Sequence, residues 1–220
     1  MAALPAQVLP AAVHWKQVHS KLRLIIFTRY PEAGKVKTRL IPALGEKGAE
    51  LLHRKMVEHT MTRVSSFKGE VEVHFTGGSH DLTKGWLGDQ FRYRRQMGGC
   101  LGERLHNSVA EAFNENKKKV VIIGTDCPGL TLRHIEQAFY LLDQSDLVLG
   151  PAYDGGYYLI GLNKLVKELF QDITWSSSLV YRQTVKAAEQ VDLQTAELEK
   201  LADIDCPADL PLWTKSKKQL

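Results

Sequence analysis

The sequence predicts an α/β domain built on a mostly parallel β-sheet covered by helices on both faces. Short apolar, β-branched runs alternate with longer segments of helical spacing, the pattern of βαβ units. At 220 residues the chain suits one such domain. With 44% hydrophobic and 25% charged residues it can bury a core without staples, which excludes intrinsic disorder, a collagen-like repeat and a disulfide-rich scaffold.

The elements follow in order. Leu22 to Thr28 is apolar and β-branched, as a buried strand requires, and a polar turn with Pro31 and Gly34 follows. Gly45 to Ser66 reads as a helix, with Leu51, Leu52, Met56 and Val64 toward one face. Val71 to Thr76 is a second strand, closed by Gly77 and Gly78, and Phe91 to Arg95 a third. Leu101, Leu105, Val109 and Phe113 recur every four residues, so Leu101 to Phe113 is a helix. Val120 to Gly124 is the most apolar strand, and Thr131 caps a helix to Leu142. Leu147 to Gly150 and Tyr157 to Leu162 are further strands, and the last fifty residues mix short helices and loops. In such sheets ligands sit beyond the carboxyl ends of the strands, so the residues after each strand carry the information.

The net charge of +4 is concentrated. Residues 21–40 hold Lys21, Arg23, Arg29, Lys35, Lys37 and Arg39 against Glu32, a local +5. Lys215, Lys217 and Lys218 add +3 at the end, and the remainder carries −4. The three cysteines show no C-x-x-C spacing, which fits reduced thiols and a cytoplasmic protein. No run approaches the ~18 apolar residues of a membrane span. Residues 1–20, apolar but interrupted by Pro5 and Pro10, read as a flexible extension rather than a cleaved signal peptide, residues 21–213 as the domain, and 214–220 as a basic tail.

Five segments carry chemistry. Arg29 to Leu40 follows strand one. Its convergent Arg29, Lys35, Lys37 and Arg39, with Thr38, suit a polyphosphate, because guanidinium binds phosphate bidentately and ammonium is a compact charge. No Walker loop is present, and a solvated basic loop is the plain alternative. Asp126 stands at the end of the most apolar strand, where a carboxylate needs a cation or a turn to cap. Asp203 and Asp205, one residue apart, repel unless a divalent cation joins them; Asp205 alternatively caps the helix begun by Pro207. Asp154, Gly155, Gly156 and Tyr157 make either a hairpin turn or an acceptor pocket. Gln96 to Leu105 joins a strand to a helix; Gln96 suits a base edge, and Arg104 a phosphate or a neighbouring acid.

Together these segments resemble the nucleotide-diphospho-sugar transferase superfamily, the GT-A fold. Within it the chain is similar to the glycosyltransferase-like group called "transferase 1, rSAM/selenodomain-associated" and, more distantly, to 2-phospholactate guanylyltransferases. The resemblance rests on Phe27 to Leu40, Leu101 to Leu105, Gly124 to Pro128, Asp154 to Tyr158 and Asp203 to Asp205, and covers about residues 22–212. It implies a three-layer α/β/α sandwich around a seven-stranded, mixed, mostly parallel sheet. It implies Mg²⁺ or Mn²⁺ on Asp126, Asp203 and Asp205, phosphates on Arg29, Lys35, Lys37 and Arg39, the base near Gln96, Gly102 and Arg104, and the acceptor near Asp154 to Tyr157. Lys37 and Asp154 are the candidate catalytic residues, Asp154 as general base.

The expected function is a metal-dependent transferase using a nucleotide donor, either an NDP-sugar or an NTP, and a small acceptor. The alternative is a nucleotide-binding protein of the same fold without turnover. Nucleic acid is not the expected partner, since aromatic residues do not interleave with the cations in the way that single-strand binders use. The oligomeric state is not legible.

Overall fold

The computed structural model describes residues 20–216; the expected extension, but for Ser20, and residues 217–220 lie outside them. Seven strands form one sheet: β1 (Leu22–Arg29), β2 (Glu70–Thr76), β3 (Arg92–Arg95), β4 (Lys119–Ile123), β5 (Leu147–Pro151), β6 (Tyr157–Leu162) and β7 (Thr195–Glu197). Their order is β3-β2-β1-β4-β6-β5-β7. β6 runs antiparallel to β4 and β5, and every other pairing is parallel. The sheet is therefore mixed and mostly parallel.

Among the described residues six α-helices accompany it: α1 (Ile41–Val64), α2 (His80–Leu87), α3 (Leu101–Asn114), α4 (Leu132–Leu141), α5 (Val180–Gln190) and α6 (Leu210–Ser216). The pleat divides the core. Leu24 and Ile26 of β1 and Val121 and Ile123 of β4 face Val57 and Met61 of α1 and Ile135 and Phe139 of α4. Ile25, Val120 and Ile122 face Leu105 and Val109 of α3 and Ala188 of α5. The two faces of the sheet thus make the two cores of a three-layer sandwich.

Element boundaries fall near those expected, with four differences. α1 begins at Ile41, ahead of Gly45, whose φ of 68° lets the chain kink within the helix. α2 was not expected; its signal was Ser79, whose Oγ accepts a hydrogen bond from Leu82 N (3.1 Å). β7 is three residues long with its ends exposed, too short to show alternation. Helix α6 extends through Ser216, into the segment expected to be a tail.

Arg23 leaves the basic segment altogether. Its side chain is 1% exposed, with Glu72 at 2.6 Å and Glu70 and Glu115 each at 2.8 Å. Arg92 and Arg94 close the same network onto Glu72 from β3, at 3.1 and 3.4 Å. Burial opposes the charge of Glu72, but the His74 hydrogen bond and the Arg23 guanidinium outweigh it and pull the carboxyl down to about 2.

What matters for function is where the strand order turns. β1 connects through α1 to β2 on one side, while β4 lies on its other side. The crevice beyond the ends of β1 and β4 is a topological switch point, the usual ligand site of open α/β sheets.

Candidate active site

A cleft of about 320 Å³ opens there, lined by Arg29, Lys35, Val36, Lys37, Thr38, Arg39, His53, Asp126 and Asp205. Buried Val36 and Leu40 pin the loop that follows β1. Gly34 turns it at φ 78°. Lys35 N donates to Glu32 O (3.1 Å) and Arg29 Nη1 to Lys35 O (3.1 Å). Lys35 pairs with Glu32 at 2.6 Å and stays 67% exposed, and Arg39 is 69% exposed. These cations line an open wall.

Lys37 behaves differently. Its backbone is left-handed (φ 45°, ψ 44°), uncommon for a side-chain-bearing residue, and its side chain is 6% exposed. Its Nζ donates to Ile204 O (2.5 Å) and Asp205 Oδ1 (2.9 Å) and lies 2.9 Å from Asp126 Oδ1. Burial works against the ammonium, but the two carboxylates prevail and hold its pKa above the ordinary lysine value. Asp126 Oδ1 is buried, and the Lys37 ammonium lies against it at 2.9 Å.

The segment Asp203–Asp205 lies beside Asp126 because Ile204 N donates to Asp126 O (2.9 Å) and Ile204 is fully buried against Leu40, Leu52 and Met56. Leu210, Leu212 and Trp213 of α6 pack on the same cluster. Asp205 does not cap the turn begun by Pro207. Asp209 does, accepting from Asp205 N (3.0 Å) and Cys206 N (2.8 Å). The Asp205 carboxylate is left for Lys37 and for Arg39, 3.5 Å away.

The expected trio of Asp126, Asp203 and Asp205 is brought together only in part. The carboxylates that converge are Asp154, Asp203 and Asp205, with one oxygen from each within 4.8 Å of the others. Burial first, and then the Asp154 charge, raise Asp203 to about 6. Hard oxygen donors crowded against their own repulsion, beside the buried oxygen of Asp126, fit a divalent cation such as Mg²⁺ or Mn²⁺.

Asp154 belongs to the hairpin turn that the sequence allowed. It joins antiparallel β5 and β6, with Ala152 N bonded to Gly156 O (3.0 Å), and it also presents a carboxylate to the acidic group. Asp154 Oδ1 accepts from Gly156 N (2.8 Å). Gly155 has φ 91°, and a Cβ there would lie 2.3 Å from Ser178 O, so only glycine fits. Tyr157, expected beside the acceptor, instead packs against the second core with a buried hydroxyl, and burial drives its pKa upward.

The residues expected near the base stand outside the cleft lining. Gln96 spends its amide N–H groups on Thr28 O (3.2 Å) and His74 O (2.8 Å), tying the ends of β1 and β2. Gly102 is a packing residue, since a Cβ would meet Phe170 O and Trp175 Nε1, each at 2.6 Å. Arg104 Nε donates to Gly98 O (3.0 Å), holding the glycine turn. His53 was not expected. It reaches the cleft from α1, its Nε2 2.8 Å from Arg29 O, and burial lowers its pKa. A histidine among the apolar residues of a helix carries no sequence signal for such a role. Burial also lifts the Cys127 thiol well above its usual value, so it is a packing residue.

The family described as "uncharacterized protein conserved in bacteria" (DUF2064) matches residues 60–177, more than half of the chain. The chain belongs to this family. The DUF2064 match takes in Asp126 and Asp154. A solved structure from Desulfovibrio desulfuricans, described as a nucleotide-diphospho-sugar transferase, is 33% identical to this DUF2064 chain, covers 90% of it and 88% of its own chain, and superposes with a TM-score of 0.86. This places the fold among the nucleotide-diphospho-sugar transferases. The 2-phospho-L-lactate guanylyltransferase of Methanocaldococcus vulcanius is 29% identical over 110 residues, 48% of each protein. That of Methanocaldococcus jannaschii is 37% identical over 59 residues, 26% of each. The chain thus matches about half of the length of the first curated relative and a quarter of the second. A 4-diphosphocytidyl-2C-methyl-D-erythritol synthase from Anaerococcus prevotii shares the fold at a TM-score of 0.61 and 11% identity, over 92% of this chain and 97% of its own. No helix among the described residues is long and apolar enough to cross a membrane.

Proposed function

We propose that this protein is a metal-dependent nucleotidyltransferase that moves a nucleoside monophosphate from an NTP to a small acceptor. The observation that carries this reading is the cleft at the switch point. One wall presents Arg29, Lys35 and Arg39, and its floor holds the Lys37 ammonium between Asp126 and Asp205. The three cations of the wall, Arg29, Lys35 and Arg39, match the charge of a triphosphate better than that of an NDP-sugar. The named guanylyltransferase relatives support the same class.

In the reaction an acceptor oxygen forms a bond to the α-phosphorus, the bond from that phosphorus to the bridging oxygen breaks, and pyrophosphate leaves. Asp154, the most exposed of the converging carboxylates, is our candidate to take the acceptor proton. Arg29, Lys35 and Arg39 hold the β- and γ-phosphates and neutralise the charge of the departing pyrophosphate. Mg²⁺ or Mn²⁺, held by Asp203 and Asp205 with Asp126 adjacent, would supply charge neutralisation at the phosphate oxygens. The chain's own contribution is positioning and a fixed field.

Glycosyl transfer from an NDP-sugar is the second reading, favoured by the Desulfovibrio structure's description. Phosphorus NMR of the purified protein with Mg²⁺ and the small-molecule fraction of a bacterial extract separates the two. Added NTPs are expected to give pyrophosphate. Release of NDP from added NDP-sugars, with no pyrophosphate from NTPs, would instead establish glycosyl transfer. Neither product would contradict transfer altogether.

A further inference from the structure

Lys37 cannot serve the phosphates from where it stands. Its ammonium has three acceptors around it, Ile204 O, Asp205 Oδ1 and Asp126 Oδ1, all protein oxygens within 2.9 Å, and its side chain is almost wholly buried. Two of those oxygens are carboxylates bordering the acidic group, and Asp205 belongs to it. Asp126 Oδ1 is buried, a negative oxygen that the Lys37 ammonium compensates at 2.9 Å. A divalent cation held by Asp205 would lie close to the ammonium that Asp205 and Asp126 share, and like charges at such spacing repel strongly in a partly desolvated site. The left-handed backbone of Lys37 is strained and persists because the surrounding contacts hold it. Releasing the side chain from the carboxylates removes part of what holds that strain.

We propose that Lys37 is a tethered cation that competes with the divalent metal for Asp126 and Asp205, and that metal entry hands its ammonium to the triphosphate. Lys37 is then the positioning residue that couples the two ligands. Without nucleotide, the metal must displace an ammonium that has nowhere better to go, and it binds weakly. With nucleotide present, the displaced ammonium gains phosphate oxygens, so metal and triphosphate each tighten the other's binding by the same factor. The second half of this proposal rests on the nucleotide reading; the competition itself does not.

The test uses Mn²⁺ alone, followed by the resonance of free Mn²⁺, with no nucleotide present. Lys37→Ala is expected to bind Mn²⁺ roughly tenfold or more tightly than wild type, since about 1.4 kcal/mol of removed competition is tenfold. Adding Asp126→Asn to that variant is expected to abolish the gain. Lys37→Gly, which suits φ 45°, serves as a second variant and should behave as Lys37→Ala does. Circular dichroism confirms folding of each. Mn²⁺ affinity that is unchanged or weaker in both Lys37 variants would overturn the proposal, as would a gain that survives Asp126→Asn. If the gain appears but no NTP binds to any form, the competition stands and the nucleotide reading fails.

Discussion

Replacing Asp205 by alanine is expected to lower NTP turnover by about 10²–10³-fold, the cost of losing one fixed electrostatic partner in a reaction of this kind. Asp205 is where the separate parts of the site meet. One carboxylate oxygen bonds Lys37 at 2.9 Å, the other lies 3.5 Å from Arg39, and the same group converges with Asp154 and Asp203. Its loss frees Lys37 and removes an oxygen donor from the acidic group together. The fold should survive, because the backbone here is held by Asp209 and by the buried Ile204. Steady-state pyrophosphate release at saturating Mg²⁺, alongside an unchanged circular dichroism spectrum, checks both halves. Turnover within a factor of three of wild type would remove Asp205 from the site.

The second large effect concerns stability. Glu72→Gln is expected to cost about 2–3 kcal/mol at pH 7, or a melting temperature lower by roughly 5–10 °C. Glu72 is 1% exposed and faces Arg23, Arg92, Arg94 and His74. Removing its charge leaves the buried Arg23 with only Glu70 and Glu115. The sign with pH follows from the depressed carboxyl. Its folded value of about 2 lies below the ordinary 4.5, so its contribution is fully present above pH ~4.5 and is lost as pH falls toward 2. The gap between wild type and variant should therefore narrow over that window. Chemical denaturation at pH 7, 4 and 3 measures it; a gap independent of pH would mean that the charge of Glu72 does not matter.

The sequence made the layers legible because both periodicities were strong. The run Val120 to Ile123 supplies both faces of the core, and the recurrence through Leu105 and Val109 states the inner face of α3. The basic loop and the acidic positions were legible because charges at strand ends are costly without a purpose. The pairings were hidden. Nothing local marks Arg23 as a buried ion-pair centre rather than one more cation of a basic segment, since its partners lie 47 to 92 residues away. The same holds for Lys37, whose partner Asp205 is 168 residues distant. Gln96 and Gly102 show the converse error: residue types suited to a base edge were serving sheet ends and helix packing, which composition cannot distinguish. The sequence charge of +4 thus resolves into a buried ionic network at the amino end of β1 and an open basic wall at its carboxyl end.

The most direct test of the central claim, that the cleft beyond β1 and β4 is a metal-dependent triphosphate site, is calorimetric titration of the wild-type protein with GTP, CTP, ATP and UTP, in Mg²⁺ and in EDTA. The account predicts that at least one NTP binds in Mg²⁺ and that its affinity falls at least tenfold in EDTA. No heat of binding from any of the four in Mg²⁺, or equal affinity in EDTA, would contradict it.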